Sequence, residues 1–541
     1  MDKPFAITLD LGSSRANHTG SWRSRRPEYV DRLPPCNHAC PAGEDVQRWL
    51  YHAEEGDYRA AWQALVEDNP FPAVMGRACY HPCETSCNRA KIDEPVSIHA
   101  VERFLGDLAI REKWPLSAPL PPTGKRVLVI GSGPSGLSAA YHLARMGHAV
   151  TVREAMPLAG GMMRYGIPRY RLPRDVLDAE VARIFDLGVH FEPGVRVDDV
   201  ATSVAEGGFA ACFAAIGAHL ANRVEIPARD AARIFDAVDL LQRVEQGEAP
   251  RLGRRVAIYG GGDTAFDAAR TVKRLGAEEA CIVYRRTQAA MPAHAFEVAE
   301  AAEEGVTMRW LRTIKRFDED RIVVERMELD EAGRLKATGE VETIEADALV
   351  LALGQNVDLS VLEKVDGVRV VDRVIEVDDR MMTGHPGLFA GGDMVPSERS
   401  IAIAVGHGKA AARHLDAYVR GEKAKAPPPR EVATFETLNP WYYTEADRTS
   451  QPAADPVRRR ATFDEVNGGL TADDALFEAR RCLSCGNCFE CDNCYGVCPD
   501  NAVIKLGPGK RFRIDLDFCK GCGLCVAECP CGAIRMVPED G

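Results

Sequence analysis

Cysteine is the residue type with the clearest chemical signal in this sequence. The chain has 18 cysteines in 541 residues, and all but Cys212 and Cys281 lie near its two ends, within 36–87 and 482–531. The N-terminal stretch MDKPFAITLDLGSS has no basic segment followed by an apolar one, so we expect no secretory signal and a cytoplasmic protein. Thiols stay reduced in that compartment, and the clustered cysteines are therefore expected to bind metal and not to form disulfides. Cys212 and Cys281 lie in apolar strands, where a free cysteine is ordinary.

The C-terminal cysteines follow a spacing that is typical of bacterial ferredoxins. Two runs have the pattern C-x2-C-x2-C-x3-C-P, and the final proline fixes the register of each run. The fourth cysteine of each run serves the other cluster, so one [4Fe-4S] cluster is predicted to be held by Cys488, Cys491, Cys494 and Cys529. The other is predicted to be held by Cys519, Cys522, Cys525 and Cys498. Structural zinc is the alternative, but this spacing favours iron and sulfur. Cys482 and Cys485 lie outside both runs, and Cys531, next to a ligand, is expected to be structural.

The stretch GSGPSG follows the apolar strand RVLVI and predicts a dinucleotide-binding turn. Gly131 permits the tight turn, Gly133 lets the backbone approach a pyrophosphate, and Gly136 lets helix and strand pack closely. The amides at the start of the helix attract the phosphates. Glu154 ends the second strand 18 residues after Gly136, where it can accept hydrogen bonds from ribose hydroxyls. The predicted contacts are Gly131, Gly133, Pro134, Ser135, Gly136 and Glu154.

A second turn of this type, GGGDTA, follows the strand RVAIY and predicts a second dinucleotide site. The next strand ends in Arg285 and Arg286, where an NAD site typically carries an acid. Two guanidinium groups suit a 2′-phosphate, which favours NADP(H). Alternatively, the two arginines pair with surface carboxylates and NAD(H) binds. The predicted contacts are Gly260, Gly262, Asp263, Thr264, Ala265, Arg285 and Arg286.

Both turns belong to βαβ units, at 125–154 and 254–286, in which a glycine turn joins a β-rich strand to a helix. Proline-rich linkers, SAPLPPTG and AKAPPPR, separate these units from the cysteine-rich ends. Two nucleotide sites suggest a flavin dinucleotide that stays bound and a nicotinamide dinucleotide that exchanges. The fold class is therefore multidomain, with an α-helical Fe–S domain, two α/β Rossmann-like domains and an α+β ferredoxin domain. The predicted boundaries are 1–120 (helical Fe–S), 121–250 and 351–425 (FAD-binding), 251–350 (NAD(P)-binding), 426–480 (connecting segment) and 481–541 (ferredoxin).

Six motifs resemble the small subunit of glutamate synthase and the matching half of dihydropyrimidine dehydrogenase. They are CNHACP (36–41), GRACYHPCETSC (76–87), GSGPSGLSAA (131–140), GGMMRYGIPRYRLP (160–173), GGGDTAFDAAR (260–270) and AGGD (390–393). The resemblance implies that FAD binds the first turn, with Gly161 and with Asp393 on the ribityl chain, and that NAD(P)H binds the second. ALGQN (352–356) resembles the crossover strand of these flavoproteins. The added ferredoxin segment also resembles NAD(P)H-oxidoreductase subunits that accompany 2-oxoacid:acceptor oxidoreductases.

The same resemblance implies two further [4Fe-4S] clusters near the N-terminus, which makes four in the chain. Members of the family complete one cluster with a non-cysteine side chain, and the matching stretch SIHAVERF (97–104) points to Glu102. Its ligands would be Cys40, Cys79, Cys83 and Glu102, although Glu102 could instead be an ordinary salt-bridged glutamate. Family members complete the second N-terminal cluster with two cysteines of a C-x2-C motif. In this chain the residues that surround that motif in the family occur only at 478–485, EARRCLSC. Its ligands would be Cys36, Cys87, Cys482 and Cys485; alternatively, the last two are free or bind a separate metal.

Charge and hydropathy exclude other classes of function. The net charge of −13 without a sustained basic block argues against a nucleic-acid partner, and no apolar stretch reaches the roughly 18 residues of a membrane span. We expect an FAD and Fe–S NAD(P)H:acceptor oxidoreductase subunit whose protein partner is, for example, a 2-oxoacid:ferredoxin oxidoreductase. The alternatives are the small subunit of glutamate synthase and a non-enzymatic electron-wiring subunit, which the two intact glycine turns disfavour.

Overall fold

Short helices pack around the first group of cysteines. The computed structural model describes residues 18–21, 23–222, 224, 226–228, 233–363, 365–425 and 428–539, so MDKPFAITLDLGSS and part of AKAPPPR lie outside the described residues. Helix α2 buries Val46, Trp49, Leu50 and Ala53, a spacing that forms one apolar face. The elements are β1 (Arg25–Tyr29), α1 (Pro35–Ala39), α2 (Val46–Glu54), α3 (Tyr58–Val66), α4 (Pro72–Ala78), α5 (Pro82–Thr85) and α6 (Ile98–Arg111).

The first βαβ unit opens a five-stranded parallel sheet. Its strand order is β18-β5-β2-β3-β4, and strand β2 is buried from Val127 to Ile130, as expected for a sheet covered on both faces. The elements in this part are β2 (Arg126–Ile130), α7 (Pro134–Arg145), β3 (Ala149–Glu154), α8 (Met162–Tyr165), α9 (Arg174–Phe185), β4 (His190–Pro193), α10 (Val200–Gly207), β5 (Ala211–Ala214) and β6 (Leu220–Ala221).

The second βαβ unit lies in another five-stranded parallel sheet, in the order β10-β9-β8-β14-β7, with a three-stranded antiparallel sheet β11-β12-β13 beside it. The elements are β7 (Ile234–Asp236), α11 (Ala237–Glu245), β8 (Arg255–Tyr259), α12 (Asp263–Arg274), β9 (Glu279–Tyr284), α13 (Ala295–Glu303), β10 (Thr307–Trp310), β11 (Arg312–Asp318), β12 (Arg321–Leu329), β13 (Leu335–Glu345) and β14 (Ala348–Leu351).

The chain then returns to the first sheet. Strand β15 pairs with β6 and so forms the predicted crossover, β18 joins β5 in parallel, and α14 packs on α7, where Ser138 Oγ donates to Val405 O at 2.8 Å. The elements are β15 (Gln355–Asn356), β16 (Val370–Val371), β17 (Val374–Ile375), β18 (Leu388–Ala390) and α14 (Ile401–Arg420).

The C-terminal part contacts every earlier domain. Helix α16 places Ala475 and Ala479 in the same core as Trp49 of α2, and strand β1 pairs antiparallel with β21. The N-terminal strand is thus part of the ferredoxin sheet, although it falls in the range predicted for the helical domain. The elements are α15 (Pro456–Ala461), α16 (Ala472–Arg480), α17 (Asn493–Val497), β19 (Val503–Lys505), β20 (Phe512–Ile514), α18 (Leu524–Ala527) and β21 (Ile534–Pro538). No helix among the described residues is both long and apolar enough to cross a membrane.

A buried ion cluster fixes the second sheet domain against its neighbours. Arg270 is fully buried and pairs with Glu297 at 3.1 Å and with Glu300 and Glu304 at 2.8 Å. Its guanidinium lies 4.9 Å from the ring centre of Tyr170, which belongs to the first sheet domain. Glu297 also pairs with Arg171 at 2.5 Å and Glu304 with Arg274 at 2.6 Å, so Arg270 is the central cation of a larger buried network.

We expect Arg270→Leu to lower the free energy of unfolding by about 3–5 kcal/mol, because it removes a fully buried cation from a group of three carboxylates and leaves Glu297 and Glu304 with one cation each. Urea unfolding followed by circular dichroism measures the change. The matched control is Arg334→Leu, whose side chain is 80% exposed, and its effect should stay below about 0.5 kcal/mol. An equally small effect of Arg270→Leu would contradict a stabilising role for the cluster.

Candidate functional site

Both glycine turns border a single cavity of about 410 Å³. The second turn contributes Asp263 and Thr264, and the N-terminal helical domain contributes Ala78 and Tyr80, next to Cys79. The first sheet domain contributes most of its predicted contacts, namely Gly131, Gly133, Pro134, Ser135, Glu154, Gly161 and Asp393. Three domains therefore meet at this cavity, and it is large enough for parts of two nucleotides.

The first turn leaves a cradle that a pyrophosphate fits. A Cβ on Gly136 would lie 2.0 Å from Gly131 O, so this position must stay a glycine for helix α7 to approach the strand. A Cβ on Gly133 would meet no protein atom closer than 3.9 Å, although Gly133 borders the cavity. Ser135 Oγ is buried and has no hydrogen-bond partner among the described residues. An unpartnered hydroxyl at a helix N-terminus suits a phosphate oxygen.

Two carboxylates stand where the flavin nucleotide is expected. Glu154 accepts from Ser132 N at 2.8 Å and from Met156 N at 2.8 Å, which holds its carboxylate at the cavity with lone pairs to spare. Burial raises the pKa of Asp393, and the nearby Arg399 opposes this shift. Both acids border the cavity, so these two hydrogen-bond acceptors suit the hydroxyl groups of a ribose and of a polyol chain.

The second turn also leaves room for a ligand. A Cβ on Gly262 would meet no atom within 4 Å, whereas one on Gly260 would lie 2.2 Å from Ala352 O. Ala265, at the third position, is fully buried. Arg285 and Arg286 are both exposed at the end of β9. The alternative in which they pair with carboxylates is not seen, because neither guanidinium has an ion pair among the described residues.

The C-terminal cysteines lie close together, and Cys531 Sγ lies 3.8 Å from Cys529 Sγ. The pKa of the Cys494 thiol is raised to about 12, chiefly by burial and further by the neighbouring thiols of Cys488, Cys529 and Cys491. The Cys525 thiol is likewise raised to about 12 by burial and by the thiols of Cys519, Cys494, Cys522 and Cys498. Cys498, the fourth cysteine of the first run, borders a small pocket together with Cys519, Cys522 and Cys525 of the second run. Cys529, the fourth cysteine of the second run, packs in one core with Cys488 and Cys494. The assignment of these cysteines to two clusters stays a prediction. Tyr29 of strand β1 contacts Cys494 Sγ at 3.2 Å.

The structure brings Cys482 and Cys485 to the N-terminal cysteines. Burial raises the pKa of Cys36 well above its usual value, and Cys482, Cys87 and Cys485 raise it further. Asn88 Nδ2 lies 3.5 Å from Cys485 Sγ, across 397 residues of sequence. Cys36, Cys87 and Cys482 pack in one apolar core, in which Cys36 is buried and the other two are half-buried. Because Asn88 directly follows Cys87, the contact of Asn88 with Cys485 places the fourth thiol beside them. A set of four converging thiols fits a [4Fe-4S] cluster.

Buried polar contacts around the end of helix α16 hold Cys482 and Cys485 against the helical domain. Glu478 Oε2 accepts from Ser97 N at 2.9 Å, and Arg481 pairs with Asp93 at 3.0 Å. Gln47 Nε2 donates to Ser484 Oγ at 3.2 Å. The segment EARRCLSC is thus attached to the helical domain on both sides of Cys482.

Glu102 lies in the other N-terminal group. Burial raises the pKa of the Cys79 thiol to about 12, with Glu102 as the next largest cause, and Cys40 is also close to Glu102. No ion pair of Glu102 is found in the described part of the chain, so the salt-bridge alternative is not seen.

Asn69 Nδ2 donates to Glu102 at 3.0 Å and to Glu44 at 2.9 Å. Burial chiefly raises the pKa of Glu44 to about 7, and this carboxylate, which the sequence did not single out, lies beside Cys40.

Three further residues at the cavity were missed from the sequence. Arg171 Nη1 donates to both oxygens of Asp267 at 2.9 Å, and both residues border the cavity with Tyr80. Asp267 follows Asp263 by four residues, so it lies on the same face of α12, and this spacing could have indicated it. No signal in the sequence shows that the loop with Tyr80 reaches the nucleotide turns.

Three family models match the chain. Residues 125–408 match pyridine nucleotide-disulphide oxidoreductases, 31–114 match dihydropyrimidine dehydrogenase domain II with its 4Fe-4S cluster, and 487–533 match the 4Fe-4S dicluster domain. These matches and the two parallel sheets confirm the predicted multidomain fold class. Cys482 and Cys485 lie outside all three ranges.

Relatives include subunits of larger enzymes. The NADP(+)-dependent formate dehydrogenase subunit beta of Moorella thermoacetica is 34% identical over 499 residues, 83% of this chain and 70% of that protein. The NADPH-Fe(3+) oxidoreductase subunit beta of Geobacter sulfurreducens is 30% identical over 517 residues, 85% of this chain and 77% of that protein. The glutamate synthase [NADPH] small chain of Mycobacterium tuberculosis is 33% identical over 436 residues, 74% of this chain and 89% of that protein. The resemblance predicted from the motifs is confirmed.

Proposed function

Because the chain belongs to the pyridine nucleotide-disulphide oxidoreductase family, we propose that it passes electrons between NAD(P)H and a partner protein through FAD and four [4Fe-4S] clusters. The observation that carries this proposal is the cavity at which both glycine turns meet Tyr80, the neighbour of Cys79. A flavin accepts a hydride and releases single electrons, which links the nicotinamide to one-electron clusters. The chain contributes position and environment, and no acid–base group is required of it.

The residues of the first turn hold the FAD. Gly133 and the start of α7 face the pyrophosphate, and Ser135 Oγ supplies a donor that has no other partner among the described residues. Glu154 binds the ribose, and Asp393 binds the ribityl chain. The second turn, with Gly262 and Thr264, holds the nicotinamide nucleotide on the opposite side of the cavity.

The cysteine groups form a continuous series away from the cavity. Cys79 lies one residue from the cavity wall, and Cys83 of the same group packs in the same apolar core as Cys36 of the next. Cys485 of that second group is followed three residues later by Cys488 of the first ferredoxin group, and Cys494 adjoins Cys525 of the last. The order of electron transfer that we propose follows this series.

The cluster with Cys36, Cys87, Cys482 and Cys485 is the central element of this proposal. Four thiolates held close together repel one another, and a cationic iron–sulfur core would offset this repulsion. Ligands from both ends of the chain attach the ferredoxin domain to the flavin half. Glu102 completes the group of Cys40, Cys79 and Cys83, where it has no basic partner among the described residues.

The partner is a protein subunit that docks near the ferredoxin groups. Each of these groups has one exposed cysteine, Cys491 and Cys522, which is expected where electrons leave a protein. The relatives named as beta subunits of formate dehydrogenase and of an Fe(3+) oxidoreductase support such a partner. A 2-oxoacid:ferredoxin oxidoreductase is our candidate. A second candidate function is that of a glutamate synthase small chain, which the 33% identity to that protein favours.

Identifying the subunits that co-purify with the tagged chain tests both candidate functions.

The second nucleotide site is proposed to prefer NADPH. The double substitution Arg285→Ala with Arg286→Ala should raise the Kd of NADPH about 10- to 100-fold, because one charge-assisted hydrogen bond contributes about 1.5–3 kcal/mol. The Kd of NADH should change less than about twofold, since it has no 2′-phosphate. Fluorescence titration measures both constants, with Arg334→Ala as the control for net charge. Equal weakening of NADPH and NADH would contradict the assignment.

Anaerobic titration with NADPH and with NADH tests the function itself. We expect NADPH to bleach the flavin absorbance of the purified protein at lower concentrations than NADH. No bleaching by either nucleotide would leave only a wiring role without enzymatic activity.

A further inference from the structure

Two stacked rings join the helical domain to the second sheet domain at the edge of the cavity. Tyr80 lies face to face with His294, with ring centres 3.5 Å apart and planes 7° apart. Asp263 accepts a hydrogen bond from His294 N at 3.0 Å and lies 3.1 Å from its ring Nδ1. Because Asp263 begins α12 directly after the GGG turn, the stack connects the nucleotide turn to the residue beside Cys79.

The contact lies between the parts that must be aligned for hydride transfer. Tyr80, Asp263 and Thr264 border the same cavity, and the ring of Phe296 lies farther off, 6.3 Å from that of Tyr80. A stacked aromatic pair contributes about 0.5–1.5 kcal/mol beyond the area it buries. That energy is modest for stability, but an orientation error of about 1 Å between reacting groups can cost about a hundredfold in rate.

We infer that Tyr80 and His294 are positioning residues, whose stack docks the nucleotide domain on the helical domain and aligns bound NAD(P)H with the flavin. This inference rests on the proposed function. The ring of Tyr80 makes this contact and its hydroxyl does not, because no hydrogen bond of the hydroxyl is found in the described part of the chain. The stack should therefore tolerate phenylalanine at position 80 but not alanine.

The test compares Tyr80→Ala, His294→Ala, the double variant and Tyr80→Phe in the cofactor-loaded protein. Stopped-flow reduction of the flavin at saturating NADPH should be about 2- to 12-fold slower in either alanine variant, the equivalent of one aromatic contact. The double variant should be no slower than the single ones, because both remove the same contact. Tyr80→Phe should keep the parent rate, and Phe296→Ala is the control for an exposed ring nearby. The KM for NADPH should change less than about twofold, since alignment affects the chemical step.

Hydrogen exchange supplies a second readout that needs no turnover. Without nucleotide, the amides of 287–294 should exchange faster in Tyr80→Ala than in the parent, and Tyr80→Phe should match the parent. If Tyr80→Ala loses iron because of its neighbour Cys79, His294→Ala decides the question. Multiplicative losses in the double variant, a loss confined to KM, or unchanged rates and exchange would each overturn the inference. A parent protein that no nucleotide reduces would overturn the proposed function instead.

Discussion

The double substitution Cys482→Ser with Cys485→Ser is expected to remove about four iron atoms per chain, the content of one [4Fe-4S] cluster. NAD(P)H should still bleach the flavin, because neither Cys482 nor Cys485 borders the cavity. Electron delivery to an external one-electron acceptor should fall to the background rate, since the series of cysteine groups is then interrupted between Cys83 and Cys488. Iron analysis, together with flavin and acceptor assays on one preparation, measures all three effects.

The matched control is Cys281→Ser, a half-buried cysteine far from these groups in the sequence. Its iron content and acceptor activity should equal those of the parent. Unchanged iron in the double variant would contradict the shared cluster and support free cysteines. A loss of iron from all four groups would mean that the two serines prevent folding, and single substitutions would then be compared.

Gly133→Ala and Gly262→Ala are expected to impair the binding of different cofactors in proteins that still fold. Neither Cβ meets a protein atom closer than 3.9 Å, so the folded chain has room for both methyl groups. At Gly133 the methyl group should displace the pyrophosphate, so that the purified protein has its iron but little flavin. At Gly262 the protein should keep its flavin, while the Kd of NADPH rises about 10- to 100-fold through the loss of charge-assisted hydrogen bonds. Flavin absorbance, iron content and nucleotide titration distinguish the two outcomes.

Gly136→Ala is the contrasting variant. Its Cβ would lie 2.0 Å from Gly131 O, so we expect poor folding and not the selective loss of one cofactor. If Gly133→Ala retained full flavin, or if Gly262→Ala lost flavin and kept its affinity for NADPH, the assignment of the two turns would be wrong.

Local motifs predicted much of the architecture. Each glycine turn combines a strand, a positive-φ glycine and a helix start within a few residues, and the structure has these units at 126–154 and 255–284. The spacing of the cysteines and the two C-P ends predict which cysteine serves which ferredoxin cluster, and that pairing stays a prediction. The place of Cys482 and Cys485 could also be anticipated, because their surroundings in EARRCLSC matched a segment missing near Cys36.

Other contacts between distant segments could not be predicted from the sequence. The pairing of β1 with β21 joins residues about 500 positions apart, and five residues such as RRPEY carry no partner information. The sequence predicts 426–480 only as a connecting segment, yet α16 within it completes the core around Trp49. Tyr80 and His294 look like ordinary residues in cysteine-rich and proline-containing loops, and only tertiary packing brings their rings together.

Anaerobic mixing of the purified protein with NADPH tests the central claim most directly, with flavin absorbance and electron paramagnetic resonance of the clusters recorded in the same samples. We expect the flavin to be reduced first and the cluster signals to follow. In the Cys482→Ser, Cys485→Ser variant, the signals of the ferredoxin clusters should stay absent. Ferredoxin-cluster signals that develop at the parent rate in this variant would contradict electron transfer through the shared cluster.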